Sequence, residues 1–174
     1  MQYISRYHSP MGGILLAGDG NGLTGLWFEG QKYFARHLDK EQEEREIPLF
    51  ELAKGWLDVY FSGREPDFSV PLHLMGTAFQ KEVWEILRSI PYGHTMTYGE
   101  IAKQLAEKRG LPHMSAQAVG GAVGRNPISI LVPCHRVVGA DGSLTGYAGG
   151  IDKKGRLLKL EGVDAGHIMF AAKC

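Results

Sequence analysis

The sequence predicts an α/β protein: a small N-terminal antiparallel-sheet-plus-helix domain, then a mainly helical C-terminal domain containing a helix-turn-helix. Three observations predict it. Three strand-like runs near the start are separated by clusters of Gly, Pro, Asn and Asp, the pattern of consecutive hairpins. From Pro48 onward apolar residues recur mainly at helical spacing. The charge also divides. From Lys81 to Lys159 there are eleven Lys and Arg against six Asp and Glu, a net +5, and the rest of the neutral 174-residue chain carries −5.

Taken in order, residues 3–8, 13–18 and 23–28 read as strands, joined by the turns Ser9-Pro10-Met11-Gly12-Gly13 and Gly18-Asp19-Gly20-Asn21-Gly22. Residues 37–46 are charged and polar and read as a solvated loop. Pro48 opens a helix whose apolar face is Phe50, Leu52, Ala53, Trp56, Leu57, Tyr60 and Phe61, and Gly63 ends it. Residues 64–75 cross to the second domain, with room for a strand at Phe68–Leu74. Thr77…Gln80 and Thr97…Glu100 are capping boxes that open two helices. Gly110-Leu111-Pro112 ends the second. The stretch 115–124 is a helix made almost wholly of small residues, stopped by Asn126-Pro127. Two short helices joined by a Gly-containing turn make a helix-turn-helix candidate, and the missing bulk lets the second approach another backbone closely. Ile128–Val132 is a strand-like apolar run. A basic amphipathic helix from about Ile151 to Leu160 closes the pattern. The expected domains are 1–75 and 76–164, with a tail at 165–174.

Composition excludes several classes. No apolar run reaches the ~18 residues of a membrane span, and the N-terminus lacks a signal-peptide core, so a cytoplasmic protein is expected. Two cysteines, one of them the last residue, make neither a disulfide framework nor a Cys-rich zinc site. No metal and no cofactor are expected. A neutral chain is not held to nucleic acid by bulk charge alone, but its basic second half is where a polyanion would dock.

The apolar run 128–132 leads into Pro133-Cys134-His135-Arg136-Val137. A cysteine flanked by His and Arg is a candidate nucleophile, because adjacent positive charge favours the thiolate. In an extended backbone Cys134 and His135 point to opposite faces. Proton transfer between them therefore needs a bend or a bridging water, and a third group to orient the imidazole. Glu161, Asp141, Asp152 and Asp164 are the downstream acids, and sequence chemistry does not choose among them.

That pentapeptide resembles the active-site signature of the O6-alkylguanine-DNA alkyltransferases. The similarity extends through Thr97-Tyr98-Gly99-Glu100, Ala118-Val119-Gly120-Gly121-Ala122, Asn126-Pro127, Thr145-Gly146-Tyr147-Ala148-Gly149-Gly150 and Leu157-Leu158-Lys159-Leu160-Glu161-Gly162, covering about residues 77–162. The resemblance implies a stoichiometric, irreversible transfer of an alkyl group from O6-alkylguanine, and from O4-alkylthymine, in double-stranded DNA to Cys134. It implies binding in the minor groove with the damaged base flipped out; a monomer is expected. By the same resemblance His135 deprotonates Cys134 through a water, Glu161 orients His135, and Asn126 ties the recognition helix to the active-site loop. Tyr98 contacts the flipped base and its phosphate, while Val137, Tyr147 and the Ala148 amide line the guanine pocket. Ser115, Ala116, Gln117, Ala118, Gly120, Gly121 and Arg125 face DNA. Small side chains there suit a groove only ~6 Å wide.

Two departures from the family pattern stand out. Gln117 occupies the place where many family members have an arginine that fills the hole left by the flipped base, so Gln117, Arg125 or another side chain does that work. Residues 1–75 contain no cysteine, so the zinc ligands of some relatives are absent. Two other classes compete. A damage-sensing binder without a nucleophile is disfavoured by Cys134, and a cysteine hydrolase by the adjacency of Cys134 and His135. Arg136 reads as an ion-pair partner, and Trp27, Trp56 and Trp84 as core. Gly139 and Ala148 suggest a pocket that accepts groups larger than methyl.

Overall fold

The computed structural model describes residues 1–35, 38, 40–163 and the backbone of 169–170. His37, Asp164, His167 and Cys174 lie outside the described residues. The chain divides into two units, Met1–Met75 with Pro127–Ser129, and Gly76–Asn126 with Ile130–Cys174.

In the first unit, β1 (Gln2–Ser9), β2 (Gly12–Asp19) and β3 (Gly22–Phe28) form the expected antiparallel meander. Residues 37–46 differ from expectation: β4 (Gln42–Glu44) pairs in parallel with β1, so the sheet order is β3-β2-β1-β4. All three β4 side chains are exposed; charged residues on a short edge strand discourage further pairing, which is why the segment looks solvated in sequence. Helix α1 (Pro48–Phe61) buries Phe50, Ala53, Leu57 and Tyr60, one stripe at helical spacing. Trp56 is only half-buried and stacks on Tyr60, with ring centroids 5.4 Å apart. It is therefore not core, whereas Trp27 and Trp84 are.

The outer edge of β3 is covered by two short stretches. The Leu23 amide donates to Pro71 O at 2.8 Å, and the His73 amide to Leu23 O at 2.8 Å. The Leu26 amide donates to Pro127 O at 2.9 Å, and the Ser129 amide to Leu26 O at 3.0 Å. The strands expected at Phe68–Leu74 and Ile128–Val132 thus reduce to single bridges at Leu72 and Ile128. Pro71 and Pro127 have no N–H with which to continue a ladder. With its edge covered, every β3 residue is buried.

In the second unit α2 (Ala78–Arg88) and α3 (Tyr98–Arg109) each start at a complete capping box, on Thr77/Gln80 and Thr97/Glu100. Gly110 ends α3 in the left-handed region at φ 67. Helix α4 (Ala116–Gly124) follows, capped by Ser115, whose side chain accepts from the Ala118 amide at 3.2 Å. The buried Trp84 indole donates to Ala122 O at 2.9 Å and so fixes α4 on α2. Beyond a 3-10 turn at Cys134–Arg136, β6 (Val137–Val138) pairs in parallel with β5 (Met96–Thr97). Helix α5 (Ile151–Leu160) packs Ile151 and Leu158 on Val138, Leu144 and Val163. The tail contributes β8 (Met169–Phe170), which pairs in parallel with β7 (Ser143–Leu144).

Candidate active site

The apolar run before the cysteine is a buried turn, not a strand. Ile130 holds a left-handed φ of 70 although it is β-branched and buried, a conformation such residues adopt only when their surroundings enforce it. Pro133 (φ −82, ψ 65) then centres an inverse γ-turn, in which the Cys134 amide donates to Val132 O at 2.8 Å. The same carbonyl accepts Asn126 Nδ2 at 2.7 Å. Asn126 also hydrogen-bonds the Cys134 side chain. The end of α4 and the nucleophile turn are therefore joined by one buried amide.

Cys134 opens the 3-10 turn and is 5 % exposed. The turn supplies the bend that an extended backbone lacked. At three residues per turn it still points Cys134 and His135 about a third of a circle apart. Burial pushes the thiol up; the Asn126 hydrogen bond and the Lys154 charge pull it down without cancelling that. This corrects the expectation that neighbouring His and Arg activate the thiolate, because both neighbours are already engaged.

His135 is fully buried, with Nε2 2.6 Å from Glu161 Oε2. Burial pulls its pKa below the ordinary value, more strongly than Glu161 raises it. Burial thus favours the neutral imidazole. A carboxylate only accepts, so Nε2 carries the hydrogen and Nδ1 the lone pair. Arg136 donates from Nε to Glu161 Oε1 at 2.8 Å, from Nη2 to Oε2 at 3.1 Å and from Nη1 to Ile90 O at 2.8 Å. The Gly93 amide adds a further donor to Glu161 Oε1 at 3.1 Å. Burial alone would raise the Glu161 pKa, but the His135 and Arg136 interactions hold it far below the ordinary carboxyl range. Arg136, a permanent cation, keeps Glu161 ionised where His135 is uncharged.

On the pocket side, half-buried Tyr98 opens α3 and donates its hydroxyl to Thr145 O at 2.9 Å. A Cβ at Gly120 would lie 3.9 Å from the Tyr98 ring, an ordinary contact, so α4 runs alongside Tyr98 at a spacing that a small side chain there would also fit. Val137 is buried; Tyr147 and Ala148 are half-buried in the following loop. Lys154, from α5, is fully buried and donates to Thr145 O at 2.9 Å and Gly146 O at 3.2 Å.

Gly120 apart, the α4 positions expected to face DNA are characterised by their exposure. Ser115, Ala116, Gln117 and Ala118 are exposed, Gly120 and Gly121 partly so. Arg125 is exposed and donates back to Gly121 O at 3.1 Å. Among the described residues no group of three His, Cys, Asp or Glu could hold a metal, and no helix is long and apolar enough to cross a membrane.

Residues 2–74 match the model of the 6-O-methylguanine DNA methyltransferase ribonuclease-like domain, and residues 78–163 that of its DNA binding domain. The chain belongs to the 6-O-methylguanine DNA methyltransferase family. It is 49 % identical over 160 residues to a methylated-DNA–protein-cysteine methyltransferase of Methanosarcina acetivorans, covering 92 % of this chain and 98 % of that one. It is similar to a crystal structure of Mycobacterium tuberculosis O6-methylguanine methyltransferase, with TM-score 0.77, 46 % identity, and 92 % and 93 % of the two chains covered. A Mycobacterium tuberculosis OGT crystallised in complex with DNA matches with TM-score 0.79 and 42 % identity, covering 96 % of this chain and 95 % of that one.

Of the expected site residues, Asn126 is hydrogen-bonded to the Cys134 turn and His135 to Glu161, two pairs joined through adjacent Cys134 and His135, and Glu161 is the acid that sequence chemistry left open. Lys154 was missed. Its signal was readable: Lys154 and Glu161 fall on the α5 stripe of Ile151, Leu157 and Leu158, where a polar residue has no packing role.

Proposed function

We propose that this protein reverses alkylation damage in DNA by moving the alkyl group from O6 of guanine, and from O4 of thymine, onto Cys134. The observation that carries the reading is the buried Cys134 turn, tied to Asn126 and followed by His135, which Glu161 holds through Nε2. A buried thiol reacts only with a carbon brought into the protein, and an O6 alkyl carbon reaches it only when the nucleotide leaves the stack. His135 Nδ1 takes the Cys134 proton through a water, since adjacent side chains in the turn diverge. The sulfur then forms a bond to the alkyl carbon as the carbon–O6 bond breaks. The electron pair goes to guanine, which takes up a proton. No step restores the thiol, so each molecule acts once.

In this reading Tyr98, Val137, Tyr147 and the Ala148 amide hold the flipped base and stabilise its developing charge. Ser115, Ala116, Gln117, Ala118, Gly120, Gly121 and Arg125 present α4 to the minor groove, with Gln117 or Arg125 filling the vacated stack. The protein acts as a cytoplasmic monomer, with an N-terminal α/β domain at 1–75 and a catalytic and DNA-binding domain at 76–164. The test is peptide mass spectrometry after mixing with duplex DNA containing O6-methylguanine. A permanent gain of one methylene on the Cys134 peptide, stoichiometric and absent in Cys134→Ser, supports the reading. Product formed through many turnovers of unmodified protein overturns it.

A further inference from the structure

Glu161 is held by more than the residues it serves. His135 and Arg136 both donate to its carboxylate, but they belong to the 3-10 turn that carries Cys134. The Gly93 amide, 3.1 Å from Oε1, comes from a different element, the turn that follows α2. The same turn grips Arg136 twice. Ile90 O accepts Nη1 at 2.8 Å, and the guanidinium carbon lies 5.8 Å from the Tyr92 ring centroid. Glu161 and Arg136 are both buried, so water does not readily replace a donor or acceptor that is lost there.

The form of this turn decides which way its central peptide faces. The His94 amide donates to Pro91 O at 3.1 Å, closing a β-turn with Tyr92 and Gly93 at its centre. Gly93 has φ 78 and Tyr92 has no positive φ, which is the type II pattern. In this form the Tyr92–Gly93 peptide turns its N–H to Glu161, while Tyr92 O lies 3.1 Å from His94 Nδ1. In the type I form, which suits residues other than glycine, that peptide is rotated by roughly half a circle. Glu161 would then face a carbonyl oxygen instead of a donor. An ionised carboxylate only accepts, so the two oxygens repel. A side chain at 93 that kept the type II form would place its Cβ 3.2 Å from Glu161 O, tighter than an ordinary contact.

We propose that Gly93 is a positioning residue for the alkyl transfer: its type II turn aims the Tyr92–Gly93 N–H at Glu161 and so fixes, from the end of α2, the carboxylate that orients His135. The inference rests on the alkyl-transfer reading. Gly93 acts through Glu161 and not on the substrate. Helix α2 also carries Trp84, whose indole holds α4. The base that serves Cys134 and the exposed helix α4 are thereby referred to one frame.

A glycine needed only for its backbone would be matched by another left-handed glycine away from the site. Gly110 is that match, with φ 67 and nothing within 4 Å of an added Cβ. The experiment measures alkylation of Cys134 by free O6-benzylguanine, over a range of concentrations, in wild type, Gly93→Ala and Gly110→Ala, with thermal melts alongside. Both variants force alanine into a left-handed position and should melt below wild type. Gly93→Ala should lower the limiting rate roughly tenfold or more and leave the half-saturating concentration unchanged. Gly110→Ala should change neither. A limiting rate for Gly93→Ala that matches Gly110→Ala overturns the proposal, and so does a slowing that appears only as a raised half-saturating concentration. If Gly93→Ala does not fold, Gly93→Asn is compared with Gly110→Asn, since asparagine enters the left-handed region more readily, and the same outcomes decide. If wild type is never alkylated at Cys134, the alkyl-transfer reading fails instead.

Discussion

At the scale of the residue, the site is governed by which charges are already spent. His135 and Arg136 both close on Glu161, so the help expected for Cys134 from two adjacent cations reduces to what His135 can do as a base. Acid should expose this arrangement. Glu161 is depressed in the folded chain, so its contribution to stability is complete above the ordinary 4.5 and is lost as pH falls below it. His135 is also depressed, and unfolding lets it take up a proton below 6.5. Both effects weaken the fold on acidification, beginning below 6.5 and steepening below 4.5. Glu161→Gln leaves Arg136 buried without its counter-charge and should cost about 3–5 kcal/mol in urea unfolding at neutral pH. That gap should narrow as pH falls through 4.5; a gap that stays constant in acid would show that the carboxylate is not the stabilising group. The nucleophile was legible in sequence because Pro-Cys-His-Arg concentrates chemistry in adjacent letters. The engagement of those letters was not, since Glu161 is 26 residues from His135 and only packing brings it there.

At the scale of the element, local signals worked where one residue decides the geometry. Thr77, Thr97 and Gly110 place helix ends to within a residue, because capping is settled by neighbours in sequence. They failed where a partner distant in sequence decides. Gln42–Glu44 is a strand because β1 offers it an edge, and Ile128–Val132 is a turn because Pro127 lacks an N–H and Asn126 seizes the Val132 carbonyl. Helix α4 is the element on which DNA recognition should turn. Its outer residues are exposed while Trp84 fixes its inner side, so the surface is preformed. Gln117→Ala removes a side chain that touches none of the Cys134 cluster. It should slow repair of O6-methylguanine in duplex DNA strongly while leaving transfer from free O6-benzylguanine near the wild-type rate. Equal loss on both substrates would place Gln117 in the chemistry rather than in presenting the base.

At the scale of the whole molecule, the division of charge at Lys81 anticipated two units, because solvated surfaces carry their charge in composition. It did not anticipate that residues 127–129 leave the second unit and complete the sheet of the first. That excursion lies between Asn126, which holds the Val132 carbonyl, and Ile130, whose left-handed backbone starts the nucleophile turn. The residues flanking the three-residue excursion are thus committed to site geometry, and Pro127 and Ser129 within it are each tied to Leu26 by a backbone bond. If the pinning matters to the turn, breaking it should slow the chemistry without touching any side chain of the cluster. Ser129→Pro removes the N–H that donates to Leu26 O and leaves that buried carbonyl one donor short, at a cost of about 1–3 kcal/mol. The strands and helices should survive, as read by far-UV circular dichroism. Alkylation of Cys134 by free O6-benzylguanine should nonetheless slow, because the Asn126–Val132 bond then spans a looser loop. A folded Ser129→Pro protein that reacts at the wild-type rate would mean that Asn126 and the Pro133 turn hold Cys134 by themselves.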